Sequence, residues 1–201
     1  MARTSNPKTR EKLLDAAERL MIRKGFEAAS VDDICGMAGL TKGSFFHYFK
    51  TKNQIAAEAV KRFYARNSEM FRAAPYQKFT DPLKRVHGFL DLVIYLAGNS
   101  KLAEGCLIGI VAQEMSATNP ELRRTCADCF SVWASGLESD LQLAKAKHTP
   151  RAKWNARGLA EHFIAVFEGA LILVKSKQDP RTLVESVEHL KRYVNLLFTC
   201  K

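Results

Sequence analysis

The amino-acid sequence predicts an all-α fold, and three observations carry that prediction. The 201-residue chain contains only 11 glycines and 6 prolines, below the share of about 12% that these residue types usually contribute. The prolines stand far apart, and the intervals between them place apolar residues at helical spacing. Hydrophobic residues make up 47% and charged residues 26%, a balance typical of a folded globular protein. Long helices are therefore expected, and no segment requires a strand.

The first third of the sequence predicts four helices, and each has a capping or terminating residue at its boundary. A helix over 9–24 ends at Gly25, which readily adopts a left-handed backbone. Side chains that can cap a helix N-terminus precede each of the next three helices: Ser30 with Asp33, then Thr41, then Thr51. Gly39 ends the second helix, and the fourth extends to about residue 72.

Beyond a break at 73–80, five more helices are predicted, over 81–98, 104–117, 119–146, 151–177 and 180–199. In the last two, apolar residues recur with alternating spacings of four and three, as in helices that pack side by side. The recurring positions include Leu159, Phe163, Val166 and Leu173, then Leu183, Val187, Leu190, Val194 and Leu197. The periodicity leaves open whether this seam lies inside one chain or between two chains.

The charge of the chain indicates a negatively charged partner. The formal net charge is +10, and residues 1–72 carry +6 of it. Such a surplus attracts nucleic acid or an anionic membrane surface. The first twenty residues lack the apolar stretch of a signal peptide, and no window approaches eighteen uninterrupted apolar residues, so we expect a cytoplasmic protein with no membrane partner. The five cysteines are expected to be thiols.

Residues 30–52 have the pattern of a helix-turn-helix. A short amphipathic helix is followed by a turn at Gly39 and a second short helix, in which Phe45 and Phe49 share the buried face. The opposite face can enter a DNA major groove, and it carries Lys42, Ser44, Phe46 and His47. A helix pair of this length can also serve packing alone, and the pattern by itself does not decide between the two.

The run from Asp33 through Gly39, followed by Thr41-Lys42-Gly43-Ser44-Phe45-Phe46-His47-Tyr48-Phe49 and Lys52, resembles the DNA-binding domain of TetR-family transcriptional regulators. The resemblance implies a homodimeric repressor of about nine helices, with the last two at the dimer interface and the middle ones around an inducer pocket. It implies a helix-turn-helix domain over 1–50, a connecting helix over 51–72, and a ligand-binding and dimerisation domain over 73–201.

Matching positions imply which residues meet DNA. The expected DNA-binding residues are Ser30, Thr41, Lys42, Gly43, Ser44, Phe46, His47, Tyr48 and Lys52. A lysine can donate to guanine, an aromatic ring can pack on a thymine methyl, and hydroxyl groups can hold phosphates. Tyr48 and Lys52 fall at phosphate-contacting positions. Phe46 stands where the family usually has tyrosine, so a hydroxyl contact is not expected there.

The larger half contains two weaker candidate sites. The stretch Gly105-Cys106-Leu107 and the later Lys175 are similar to a NemR-like branch that senses electrophiles and oxidants through a cysteine. Cys106 is therefore a candidate sensor with Lys175 as its partner, and the alternative is a small core residue. Trp133, His162, Phe163 and Phe167 could line the inducer pocket or simply fill the core. Cys126 and Cys129 are expected to pack in the core, because no second ligand pair suggests zinc.

We therefore predict a dimeric repressor that a small-molecule inducer, or modification of Cys106, releases from a palindromic double-stranded DNA operator. The alternative is a basic helical protein that binds nucleic acid or membrane surfaces non-specifically. The sequence has no Gly-rich phosphate loop, no HExxH and no G-x-S-x-G motif, so we expect no enzyme, no catalytic residues, no metal site and no cofactor.

Overall fold

The computed structural model describes residues 7–99 and 104–199, and the regular secondary structure in these ranges is helical throughout. The all-α prediction is confirmed. The α-helices are α1 (Pro7–Lys24), α2 (Val31–Ala38), α3 (Lys42–Tyr48), α4 (Lys52–Arg72), α5 (Pro82–Asn99), α6 (Leu107–Met115), α7 (Pro120–His148), α8 (Ala156–Lys177) and α9 (Arg181–Thr199). A short 3-10 helix, Pro75–Lys78, occupies the break predicted between α4 and α5.

The predicted helix boundaries around α2 and α3 are confirmed by their hydrogen bonds. The Ser30 side chain accepts a hydrogen bond from the Asp33 backbone N–H at 3.1 Å, and the Asp33 carboxylate accepts one from the Ser30 N–H at 2.9 Å. Gly39 ends α2 with a left-handed backbone at φ 65°. The Thr41 hydroxyl accepts from the Ser44 N–H at 3.2 Å and so caps α3. These bonds satisfy N–H groups that a helix otherwise leaves unpaired.

Two helices begin three and five residues later than the sequence predicts, and for the second a capping side chain explains the difference. The predicted helix over 104–117 begins at Leu107, because Cys106 is its N-cap residue and has an extended backbone. The predicted helix over 151–177 begins at Ala156, because the Asn155 side chain accepts a hydrogen bond from the Gly158 N–H at 2.7 Å. Asn is among the strongest N-cap residues, whereas the prediction placed the start after Pro150.

The described residues form two compact units. The first contains the residues up to Arg66 together with Cys106–Cys129, and the second contains the described parts of 67–105 and 130–201. In the first unit α1 packs against α2, α3 and α6, and in the second α9 packs against both α5 and α8. The functional domains expected over 1–50, 51–72 and 73–201 stay a prediction, because this division reflects packing and not role.

The predicted seam of the last two helices lies mainly inside one chain. Its buried members are Leu159, Phe163, Leu183, Val187, Leu190 and Val194. Val166 and Leu197 are half-buried, and Leu173 is exposed. The expectation that these residues form dimer contacts is therefore corrected. Their burial against α5 and α8 holds α9 onto its own unit.

Membrane insertion by a helix finds no support in the described part of the chain, because none of its helices is both long and apolar enough to span a bilayer.

Candidate DNA-binding site

The helix-turn-helix is held together by an apolar layer beneath α3. Phe45 and Phe49 are completely buried, and their ring centroids are 5.8 Å apart. Ile34 of α2 is buried as well. The predicted inward face of this segment is confirmed, and α3 rests on its core through aromatic residues four apart. The hydrogen bonds within α3 are too few to stabilise so short a helix alone. The aromatic packing beneath it therefore fixes its orientation.

The opposite face of α3 presents the residues that the sequence assigned to DNA. Lys42, Gly43, Phe46 and His47 are exposed, while Ser44 and Tyr48 are half-buried. Phe46 exposes 54% of its surface, although the adjacent Phe45 exposes none. Phe46 therefore offers an apolar ring on the exposed side of α3, where it can contact a thymine methyl. These positions share one surface, which we call the α3 face.

Lys42, at the start of α3, is oriented by an ion pair. Its ammonium group lies 2.8 Å from the Asp32 carboxylate of α2, and that contact raises the pKa of Lys42. Both side chains are largely exposed. Because solvent screens an exposed ion pair, a DNA phosphate or base can displace Asp32 at small cost. The pair places a positive charge at one end of the α3 face without locking it there.

Ser30 and Thr41 act as caps in the structure. Both hydroxyl groups accept backbone hydrogen bonds at the N-termini of α2 and α3, as described above. The Thr41 hydroxyl also lies 3.2 Å from the Ser44 hydroxyl. Both caps are exposed, and Thr41 directly precedes the α3 face. Their assignment to DNA stays a prediction.

Lys52 stands in a different environment from the other predicted residues. Its ammonium group donates hydrogen bonds to the Phe26 carbonyl at 3.1 Å and to the Glu27 carbonyl at 3.3 Å. It also lies 4.2 Å from the centroid of the Phe26 ring, in the geometry of a cation–π contact. The sequence predicted that this lysine would reach a phosphate, but the structure shows it bound within the chain.

An arginine that the sequence analysis did not single out fastens α4 to α1. The three guanidinium nitrogens of Arg62 donate to three carboxylates of α1, at distances of 2.7, 2.5 and 2.5 Å. The partners, in the order of these distances, are Glu18, Glu11 and Asp15. Desolvation lowers the pKa of Arg62, but these carboxylates outweigh it and the pKa is raised overall. Acidic residues at 11, 15 and 18 share a helix face, which is a sequence signal for a basic partner.

The candidate sensor residues lie in different compact units. Cys106 belongs to the first unit, where it is the N-cap residue of α6 and is partly exposed. The other cysteines that the structure describes are buried. Lys175 belongs to the second unit, near the end of α8, and is exposed. Cys126 and Cys129 are buried, as predicted, and burial raises the pKa of Cys126 to about 12, so both behave as neutral core thiols.

The four candidate pocket residues lie in three different environments. The Trp133 and Phe167 rings stack with centroids 5.9 Å apart, and Phe130 continues the stack 6.4 Å from Trp133. Phe163 is completely buried and fills the core. His162 is exposed on α8 and contacts the Tyr193 ring of α9 at 5.7 Å, so the expectation that it faces an internal pocket is corrected.

Two family models match the chain. One, described as bacterial regulatory proteins of the tetR family, matches residues 13–59. The other, described as the C-terminal domain of LmrA/YxaF-like transcriptional regulators, matches residues 82–189, more than half of the chain. The chain belongs to the TetR family. This TetR-family protein is a DNA-binding transcriptional regulator, and the helix-turn-helix described above lies within its tetR match.

Individual relatives cover nearly the whole TetR-family chain. LmrA of Bacillus subtilis, a transcriptional regulator, is 29% identical over 169 residues, which are 82% of this chain and 85% of LmrA. NemR of Escherichia coli, a transcriptional repressor, is 24% identical over 194 residues, covering 92% of this chain and 94% of NemR. A TetR regulator from Chloroflexus aurantiacus has a crystal structure with TM-score 0.81 and 28% identity, covering 93% of this chain and 94% of that one.

The NemR-like branch stays a prediction. Identity to NemR is lower than identity to LmrA, and the second half of the chain matches the LmrA/YxaF-like description. Membership of the TetR family therefore does not imply that Cys106 is a sensor.

Proposed function

We propose that this chain is a homodimeric repressor that binds a palindromic operator and leaves it when a small-molecule inducer binds. The α3 face supports the DNA contact, with Lys42, Ser44, Phe46 and His47 reading base edges and Tyr48 holding a phosphate. Two copies of α3 would enter major grooves about 34–36 Å apart, or a multiple of that distance. NemR, a repressor of similar length, supports repression as the outcome.

The observation that supports the dimer is that the last two helices expose large apolar side chains. Ile172 and Leu173 of α8 and Tyr193 and Leu196 of α9 are all exposed. We call these four residues the α8–α9 face. Exposed large apolar side chains on neighbouring helices are a surface that a second copy of the chain can cover in a two-fold contact.

The aromatic stack of the second unit supports an inducer site. Phe130, Trp133 and Phe167 present parallel rings, and Phe89 adds a further ring 5.8 Å from Phe167. Phe130 and Trp133 are half-buried, so part of the stack remains open to a ligand. Such a surface favours a flat apolar compound over a charged one.

Modification of Cys106 is a second proposed route of release. Its support is accessibility, since Cys106 alone among the described cysteines is not buried. N-Ethylmaleimide provides a direct test, because the thiolate adds to the maleimide double bond and the ring carbon takes up a proton. Cys106→Ser should abolish release of DNA by this reagent, with Cys200→Ser as the control substitution. Unchanged release from the Cys106 variant would exclude the sensor.

Operator selection from genomic fragments tests the main proposal. A palindromic site should be enriched, and its binding should persist against competitor DNA in moderate salt. His47→Ala should change the bases that are preferred at one position of each half-site. A non-specific basic protein would instead enrich no site and would lose about three to five decades of affinity between 50 and 200 mM salt for 6–10 phosphate contacts.

A further inference from the structure

The turn between α1 and α2 is held from two sides by residues of other helices. On one side, the Glu114 carboxylate of α6 accepts a hydrogen bond from the Glu27 backbone N–H at 2.8 Å. On the other, the Lys52 ammonium of α4 donates to the carbonyls of Phe26 and Glu27. Residues 25–27, which we call the α1–α2 turn, therefore bond to α6 through an N–H group and to α4 through carbonyl groups.

Gly25 makes the approach of Glu114 possible. Its backbone has φ +90°, a conformation that residues with a side chain rarely adopt. A Cβ atom at this position would also collide with the Glu114 carboxylate. The glycine therefore both reverses the chain after α1 and leaves room for a side chain from a helix more than eighty residues further along the sequence.

The bonding of Lys52 is poorly suited to a DNA contact. An ammonium group has three N–H donors, and two carbonyls and an aromatic ring already surround this one. The side chain is half-buried, whereas Lys42 and Lys50 on the N-terminal side of it are exposed. A phosphate would therefore compete with the α1–α2 turn for the ammonium group of Lys52.

We propose that Glu114 and Lys52 are positioning residues that join α6 to the start of α4 through the α1–α2 turn, and that Lys52 does this instead of binding a phosphate. The turn leads directly into α2, and α2 and α3 share an apolar core. A change at either residue therefore alters the placement of the α3 face. This inference rests on the operator binding proposed above, so wild-type binding to the selected operator is measured first.

The salt dependence of operator binding separates a positioning lysine from a lysine that binds a phosphate. Removing one phosphate-binding charge reduces the slope of log K against log salt by about 0.9. Lys52→Met should weaken operator binding about tenfold or more and leave this slope equal to that of the wild type. A slope reduced by about 0.9 would overturn the proposal, because it identifies Lys52 as a phosphate ligand. Lys50→Met is the matched control, because it removes one nearby charge that is exposed.

Amide hydrogen exchange without DNA tests the link to α6 independently of any operator. The Gln54 N–H donates to the Thr51 hydroxyl at 3.1 Å in the first turn of α4. Glu114→Ala should speed exchange at Glu27 and also at Gln54, whereas Glu114→Gln, which keeps an acceptor oxygen, should restore both rates. Glu121→Ala removes an exposed glutamate of α7 and should change neither rate.

These two measurements distinguish a failure of this inference from a failure of the proposed function. Faster exchange at Glu27 alone, with no change at Gln54, would show that loss of the Glu114 contact does not affect α4, and it would overturn the link. Absence of any operator selected by the wild type would count against the proposed repressor, while the exchange rates would still decide the link. Supporting results are coupled exchange at both positions and an unchanged salt slope for Lys52→Met.

Discussion

Among single residues, adjacent side chains of the same type have opposite roles. Phe45 and Phe46 are neighbours in α3, yet Phe45 is completely buried and Phe46 exposes 54% of its surface. Their rings meet edge to face with centroids 5.2 Å apart. Helical geometry places consecutive residues about 100° apart, so one ring supports α3 while the next faces outward. Composition cannot distinguish the two, but periodicity can.

Alanine substitutions at these two positions should separate stability from DNA binding. Phe45→Ala should reduce the free energy of unfolding by about 3–5 kcal/mol, because it leaves a cavity in the core. Phe46→Ala should change that free energy by less than about 0.5 kcal/mol and weaken operator binding. Urea denaturation and a DNA-binding titration measure the two effects. Equal loss of stability in both variants would contradict the assignment of the α3 face.

The buried thiol of Cys126 should make stability depend on alkaline pH. Burial raises its pKa from 9.0 to about 12 in the folded protein. Between these values the unfolded chain loses the proton while the folded chain keeps it, so stability falls as pH rises. The difference in unfolding free energy between wild type and Cys126→Ala, from urea denaturation, should therefore decrease from pH 8 to pH 10.5. A difference that is constant with pH would show that the thiol ionises without penalty.

Among the helices, caps and ion pairs fix elements that are too short or too charged to be stable alone. The recognition helix α3 has only seven residues. It depends on the Thr41 cap at one end and on aromatic packing beneath it. The long helix α4 is fastened to α1 by Arg62, which binds one carboxylate with each of its nitrogens. Such use of several guanidinium nitrogens fixes orientation, which a lysine would not do.

Removal of the Thr41 cap should destabilise α3 specifically. Thr41→Ala leaves the Ser44 N–H without its acceptor and should cost about 1 kcal/mol, whereas Thr41→Ser keeps the oxygen and should cost little. Thermal unfolding and amide exchange at Ser44 measure the effect. Faster exchange at Ser44 in the alanine variant but not in the serine variant, measured without DNA, would show that the hydroxyl acts as a cap. Equal loss of stability in both would point to a role for the threonine methyl group.

For the molecule as a whole, the proposed repressor depends on association of two chains. The apolar seam that the sequence highlights serves largely to hold α9 to α5 and α8. The α8–α9 face is a mostly separate set of side chains on the same helices. Because one helix pair has both a buried and an exposed apolar side, its periodicity contains two overlapping patterns. The residues of the predicted seam belong mostly to the buried side.

A charge on the α8–α9 face should separate the dimer. Ile172 and Leu196 expose 50% and 61% of their surface, so Ile172→Glu and Leu196→Glu should leave each protomer folded but favour the monomer. Leu143→Glu on α7 is the matched control, because Leu143 exposes 53% and lies outside this face. Sedimentation velocity at micromolar concentration measures the outcome. Dimers of unchanged stability in both variants would place the interface elsewhere.

The local features of this protein could be predicted from residue order alone. Helix type, the helix caps, the left-handed glycines and the α3 face follow from contacts within a few residues, so spacing and residue type suffice to predict them. The start of the recognition helix in particular could be located from its Thr41 cap. The resemblance to TetR-family regulators was visible in the same segment, because DNA reading requires specific side chains on one short helix.

The partners of the long-range side chains became evident only from the folded arrangement of the helices. Lys52 binds carbonyls of the α1–α2 turn, and Glu114 reaches that turn from a helix far along the chain. Arg62 meets carboxylates more than forty residues away. The division of apolar residues on α8 and α9 into core and surface likewise depends on which helices cover them. Such contacts join residues that are distant in sequence, and helical periodicity shows that a face has a partner but not which one.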